Sequence, residues 1–192
     1  MKTGLLTFAF LLSTFTMACG YRFGYEFRSL PGGYDKVAIP VFQNTTQEVG
    51  VEAYFTNALV REFNRSQVAR VAPEGVAPAY IEGVITGVSY QQGGVIDANR
   101  GDNILSLPSN TVLTTEYRVI VNSMVRLVRA SDKKVIWQGN FTSERVYPAP
   151  QLGLAGINSA NALYNHNVRH ETLQRVALDM MSEAHDRMTE KF

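Results

Sequence analysis

Residues 111–141 read TVLTTEYRVIVNSMVRLVRASDKKVIWQGNF, and they predict the centre of the fold. Alternate side chains in the first half are apolar, as in a strand that buries one face. Arg118, Asn122 and Arg126 lie on the opposite face. The Ser-Asp-Lys-Lys sequence at 131–134 predicts a tight turn into a partner strand. The stretch therefore predicts a hairpin with one apolar and one partly polar face.

A shorter strand is predicted upstream, at residues 36–42. Val37, Ile39 and Val41 alternate there, so we expect the three side chains to share one face. Pro40 cannot donate a backbone hydrogen bond, which favours a position at a sheet edge or strand end.

A helix and a further strand are predicted between these elements. Apolar residues recur every four positions over residues 49–65, which indicates an amphipathic helix. Thr45 and Glu48 precede it at the spacing of a capping box. Residues 79–90 are typical of a strand, and residues 91–110 form a long connection.

A second helix is predicted from Ser159 onward, after an irregular segment at 148–158 that is rich in Pro and Gly. The order of elements is then β-α-β-β-β-α. This order predicts an α+β fold with both helices packed on one face of a small mixed sheet.

The first residues are typical of an export signal. Lys2 is followed by an apolar run at 5–15, and small residues precede Cys19. The run is shorter than the roughly 20 residues that a membrane-spanning helix needs. We therefore predict a signal peptide at 1–18 and lipidation of Cys19. A buried free thiol is the alternative for this single cysteine.

Acylation predicts how the mature chain is organised and where it resides. A diacylglycerol and an N-acyl chain on Cys19 would anchor it stably in a bilayer, and no other cofactor is expected. Gly20 after the cysteine predicts the outer membrane and not inner-membrane retention. Residues 19–34 are predicted to be an acylated tether, and residues 35–192 a single domain.

The charge balance argues against nucleic-acid binding. The 192 residues contain 18 Lys and Arg and 17 Asp and Glu, and removal of Lys2 with the leader leaves 17 of each. A nucleic-acid-binding domain needs a basic excess. Any site for an anion must therefore come from local clustering.

Enzymatic function is not indicated either. His166 and His170 have a helical i, i+4 spacing that could bind a metal, but no third ligand is evident. We interpret them as solvated helix residues. The mature chain has no G-x-S-x-G sequence, no P-loop and no cysteine nucleophile. We therefore predict a protein that is not an enzyme and has no metal site.

An ordered set of short segments carries a family resemblance. It begins at residues 19–23 (CGYRF) and continues through 37–44 (VAIPVFQN) and 50–63 (GVEAYFTNALVREF). Residues 81–85 (IEGVI) and 135–139 (VIWQG) follow. Taken in this order, the segments resemble the lipopolysaccharide-assembly lipoprotein family LptE over nearly the whole mature chain.

This resemblance implies a fold, a partner and a ligand. The fold would be two helices on a mixed four-stranded sheet. The protein would sit as a plug in the lumen of the LptD outer-membrane β-barrel, on the periplasmic side, and assist insertion of lipopolysaccharide. For the lipid phosphates, Arg129, Lys133 and Lys134 form the candidate cluster, because cations bind phosphate by charge-assisted hydrogen bonds. A merely solvated turn is the alternative.

A second resemblance gives an alternative function. The strand at 36–42 followed by a polar turn and a helix also resembles LpoB-type lipoproteins, which activate peptidoglycan synthases from the periplasm. Those proteins usually carry a long tether. Here only about fifteen residues separate Cys19 from the first strand, a short reach at roughly 3.3–3.6 Å per residue.

Overall fold

The computed structural model describes residues 28–97, 110, 112–149 and 162–190. The predicted signal peptide at 1–18 and the predicted lipidation site Cys19 lie outside the described residues. Within those residues, neither helix is long and apolar enough to cross a membrane.

The fold is α+β, with two helices and a mixed sheet of four strands. Two helices are described: α1 (Val51–Ser66) and α2 (Ala162–Thr189). Eight strands are described: β1 (Lys36–Val37), β2 (Gln43–Asn44), β3 (Arg70–Val71), β4 (Ala79–Gln92), β5 (Val95–Asp97), β6 (Val112–Thr114), β7 (Glu116–Arg129) and β8 (Val135–Pro148). The predicted fold class is confirmed.

The main sheet has the strand order β2-β4-β7-β8. β2 pairs parallel with β4, which places α1 in the crossover between them, while β4, β7 and β8 form antiparallel pairs. β1 and β3 make a separate parallel pair, and β5 and β6 an antiparallel pair. The predicted hairpin of residues 111–141 therefore forms one side of the sheet, with β7 in the interior and β8 at the edge.

The core lies between the sheet and the helices. Phe55, Leu59 and Phe63 on α1 are fully buried, as the four-residue spacing predicted. Val121 and Val125 on β7 face them and are also fully buried. Burying a side chain of this size contributes about 1.5–3 kcal/mol, so this layer holds the helices against the sheet.

The strand predicted at 36–42 is interrupted, and the prediction that Val37, Ile39 and Val41 share one face is wrong at Val41. Val37 is fully buried, but Val41 is 69% exposed and Phe42 is buried in its place. A Cβ atom on Gly83 would lie 2.1 Å from the ring of Phe42. The absence of a side chain on Gly83 therefore lets Phe42 turn inward, which breaks the alternation.

Three boundaries also differ from the sequence predictions. The capping box is absent, since Gly50 is the N-cap, with φ 87° and no side-chain cap, and the Thr45 hydroxyl donates to the carbonyl of Ile85 instead. The predicted connection at 91–110 contains β5 and the end of β4. Leu30 is 1% exposed in the core, so contacts with the domain begin within the segment predicted to be a tether.

Candidate functional site

The predicted phosphate cluster lies on the turn between β7 and β8, here called the basic turn (residues 129–134). The Arg129 amide donates to the Lys134 carbonyl at 2.9 Å, and the Lys133 amide donates to the Arg129 carbonyl at 3.1 Å. Lys133 has a left-handed φ of 57°. The Asp132 carboxylate accepts from the Lys134 amide at 3.2 Å. The turn is thus closed by its own hydrogen bonds and displays its side chains outward.

Arg129 is occupied within the fold. Its Nε donates to the Tyr34 hydroxyl at 3.1 Å, and Nη1 lies 3.0 Å from Asp132. The bond to Tyr34 and the charge of Asp132 raise the pKa of Arg129. The backbone hydrogen bond from Lys134 and the charge of Arg129 lower the pKa of Asp132. Arg129 therefore joins the N-terminal segment to the turn.

The two lysines of the turn differ from Arg129. Both are exposed, and neither forms an ion pair with an acid in the described part of the chain. The ammonium of Lys133 lies 4.8 Å from the centroid of the Tyr80 ring, a cation–π distance. The structure thus brings all three predicted residues to one turn and leaves the lysines accessible to an anion.

The polar strand face predicted for β7 lies on the side of the sheet away from the core. Arg118 pairs with Glu144 on β8 at 3.2 Å, and Arg126 pairs with Glu82 on β4 at 2.9 Å. The Asn122 side chain accepts from Thr142 at 2.7 Å. This surface, here called the open face, is therefore crossed by polar contacts between neighbouring strands.

An ion pair between a buried carboxylate and a half-buried arginine lies at the opposite end of the long strands from the basic turn. Glu48, 7% exposed, accepts from Arg169 Nη2 at 2.6 and 2.7 Å and from the Tyr90 hydroxyl at 2.9 Å. Burial and the bond to Glu48 raise the pKa of Tyr90. The sequence did not reveal this pair because its members lie 121 positions apart. The one local signal was an acid in a turn, which was interpreted as a helix cap.

The two histidines with metal-ligand spacing, His166 and His170, lie beside this pair. The rings of His166 and His170 are 4.2 Å apart, and His170 Nδ1 lies 3.1 Å from the Tyr54 hydroxyl. Burial, and then the charge of His166, lower the pKa of His170. Among the described residues, no three His, Cys, Asp or Glu side chains form a group that could hold a metal ion.

One set of contacts has the atom order of a hydrolase triad. Ser66 Oγ lies 2.8 Å from His185 Nε2, and His185 Nδ1 lies 3.4 Å from Asp186. However, His185 is 1% exposed and packs edge-on against Phe63 at 4.9 Å. Burial lowers its pKa. A substrate could not reach this imidazole, so the contacts join α1 to α2 and do not form a catalytic site.

Comparison with protein families gives a match over most of the chain. The model of the family described as LptE: Lipopolysaccharide-assembly matches residues 34–191. A search of curated proteins gives no match.

Several solved structures are similar at low identity. The PelC dodecamer from Paraburkholderia phytofirmans is 14% identical, with 82% of this chain and 89% of that chain covered and a TM-score of 0.49. Rare lipoprotein B from Shewanella oneidensis is 12% identical, with 80% and 92% covered and a TM-score of 0.42. An uncharacterized lipoprotein B from Nitrosomonas europaea is 16% identical, with 88% of each chain covered and a TM-score of 0.43. At these values the three structures assign no function to this chain.

Proposed function

This chain belongs to the LptE family of lipopolysaccharide-assembly proteins, and on that premise we propose that it is an outer-membrane lipoprotein that plugs the LptD β-barrel. In that position it would assist the assembly and insertion of lipopolysaccharide. The family is a non-enzymatic assembly family, and the proposal includes no catalytic step.

The open face of the sheet is the observation that carries the plug proposal. A barrel lumen is polar, so a plug must present hydrogen-bonding groups without unpaired buried charges. Arg118 and Arg126 each have a carboxylate partner on a neighbouring strand. Their side chains are 42% and 32% exposed, which leaves part of each guanidinium for water or a partner. The two cations of the face are therefore balanced by carboxylates, and the face also carries apolar side chains such as Val146, which is 43% exposed.

Anchoring would come from Cys19. The apolar leader and the single cysteine support a diacylglycerol and an N-acyl chain at this position. Cys19→Ser is expected to abolish labelling by radioactive palmitate and to leave the precursor uncleaved. The matched control is Ser29→Ala, which changes a small residue beyond the leader. Labelling and membrane association of Cys19→Ser at the wild-type level would refute the lipoprotein assignment.

Lipopolysaccharide contact is proposed at Arg129, Lys133 and Lys134, with the two lysines as the accessible members. Replacement of both lysines by Glu would turn attraction of phosphate into repulsion, while turn-surface changes usually alter stability by no more than about 0.5 kcal/mol. We expect weaker binding to lipopolysaccharide, and wild-type binding should fall as salt rises. Lys→Gln variants should show an intermediate loss. A folded double-Glu variant that binds as tightly as wild type would remove the turn from the site.

The alternative is an LpoB-like activator of a peptidoglycan synthase, which the strand–turn–helix at 36–65 favours. Co-purification from detergent-solubilised outer membranes separates the two functions. Recovery of a large β-barrel supports the plug proposal, whereas recovery of a penicillin-binding protein supports the alternative. Glu144→Lys on the open face should reduce barrel recovery, because it removes the partner of Arg118 and adds a cation beside it.

A further inference from the structure

A cavity of about 520 Å³ opens on the sheet beside the basic turn. It lies where the chain between β1 and β2 bends away from β4, and the loop at 74–75 and the basic turn close its other sides. Its volume is within the range of small-molecule sites. The lining residues that matter here are Val41, Glu74, Tyr80, Val84, Arg126 and Lys133.

Two cationic side chains line this cavity with donors to spare. Arg126 pairs with Glu82 through one Nη at 2.9 Å, and its side chain is 32% exposed, so the guanidinium keeps donors that a ligand in the cavity can reach. Lys133 lies over the Tyr80 ring, without a carboxylate partner among the described residues. Arg and Lys donors of this kind bind phosphate oxygens.

An acid and an apolar surface complete the lining. Glu74 is exposed on its loop and forms no ion pair in the part of the chain that the structure describes. Val41 is 69% exposed although it is apolar, and it lines the cavity together with Val84. Because Glu82 is the ion-pair partner of Arg126, the groups left for a ligand are the donors of Arg126 and Lys133, the carboxylate of Glu74 and the apolar surface of the two valines.

We propose that this cavity binds a phosphoethanolamine headgroup. The phosphate would be held by Lys133 and Arg126, and the primary ammonium by Glu74. The two-carbon linker of the headgroup, which is esterified to the phosphate, would lie against Val41 and Val84. A zwitterion matches the unused charges of both signs, whereas a simple anion would leave Glu74 facing it with like charge.

The cavity shares only Lys133 with the proposed lipopolysaccharide contact. Lys134 belongs to that contact but does not line the cavity, whereas Arg126 and Glu74 line the cavity but lie outside the contact. Variants of these residues therefore test the two proposals separately.

The test is a calorimetric titration of the full mature chain in nonionic detergent. The probes are short-chain phosphatidylethanolamine, its choline and glycerol counterparts, and lipopolysaccharide. We expect the ethanolamine lipid to bind about fivefold more tightly than the other two phospholipids, the size of one partly exposed ion pair. Glu74→Gln should remove that preference, and binding of the anionic glycerol lipid should tighten because a like charge is lost. Arg126→Gln should weaken all three, and Arg126→Lys should partly restore them.

Each arm has an outcome that overturns the proposal. Equal binding of the three phospholipids, or an unchanged preference in Glu74→Gln, would show that the ammonium is not recognised. Unchanged binding in a folded Arg126→Gln variant would show that the phosphate lies elsewhere. Lys134→Glu should weaken lipopolysaccharide binding alone. If Lys134→Glu binds lipopolysaccharide as tightly as wild type and still prefers the ethanolamine lipid, the proposed lipopolysaccharide contact is refuted and the cavity assignment stands.

Discussion

Glu48→Gln is expected to destabilise the domain more than any surface ion-pair variant. The Glu48 carboxylate accepts from Arg169 and from Tyr90, and it is 7% exposed. An isosteric amide keeps one acceptor but presents N–H donors to groups that are themselves donors. Hydrogen bonds to charged groups contribute about 1.5–3 kcal/mol each. Because the Arg169 side chain is 38% exposed and can be rehydrated, we expect a loss of about 2–3 kcal/mol in total.

The matched control is Glu183→Gln, which breaks an exposed pair with Arg187 on the same helix. Those side chains are 47% and 55% exposed, and such helix pairs contribute about 0.3–0.5 kcal/mol. Urea unfolding measures both free energies. A double-mutant cycle with Arg169→Gln should give a coupling of at least about 1 kcal/mol. A Glu48→Gln variant within about 0.5 kcal/mol of wild type would refute the inference that this pair contributes to stability.

Three further changes test the fold. Gly83→Ala should lower the free energy of unfolding by about 1–3 kcal/mol because the added Cβ would meet Phe42. Gly75→Ala, where the added Cβ has open space, should be neutral. Equal melting temperatures of the two variants would contradict this difference. Phe55→Ala should cost about 3–5 kcal/mol and the half-buried Trp137→Ala less, as measured by urea unfolding, and the reverse order would show that Trp137 contributes more to the core. Because the pKa of His185 is lowered in the folded state, the unfolded chain binds more protons below about pH 6.5, and the free energy of unfolding should fall as the pH drops through that value. His185→Gln should flatten this pH dependence. An unchanged slope in that variant would exclude His185 as its source.

The sheet and helices could be predicted because their signals are local. The two-residue alternation of β7 and the four-residue spacing of α1 are readable in one stretch of sequence, and both are confirmed by burial. The inward turn of Phe42 could not be predicted in the same way. It depends on Gly83, which lies 41 positions away and supplies space and not a pattern.

The candidate site shows the same division. A run of cations in a tight turn is visible in the sequence, so Lys133 and Lys134 could be named in advance. The contact between Arg129 and Tyr34 depends on how distant segments meet. The same holds for the cavity that Lys133 shares with Arg126. Charge clusters within a turn are therefore predictable, but the partner that occupies each charge is not.

The N-terminal contacts bear on the choice between the two proposed functions. Arg28 pairs with Asp186 near the end of α2 at 2.6 Å, and Leu30 is buried in the core. If Cys19 is acylated, residues 20–27 separate the anchor from the first described residue, Arg28, a span of at most about 30 Å. Tyr34, which follows closely, holds Arg129 of the basic turn. On that condition, the domain would be held near the bilayer with its basic turn and cavity at the anchored end. This arrangement suits a plug that meets lipid headgroups better than an activator that must reach a distant synthase.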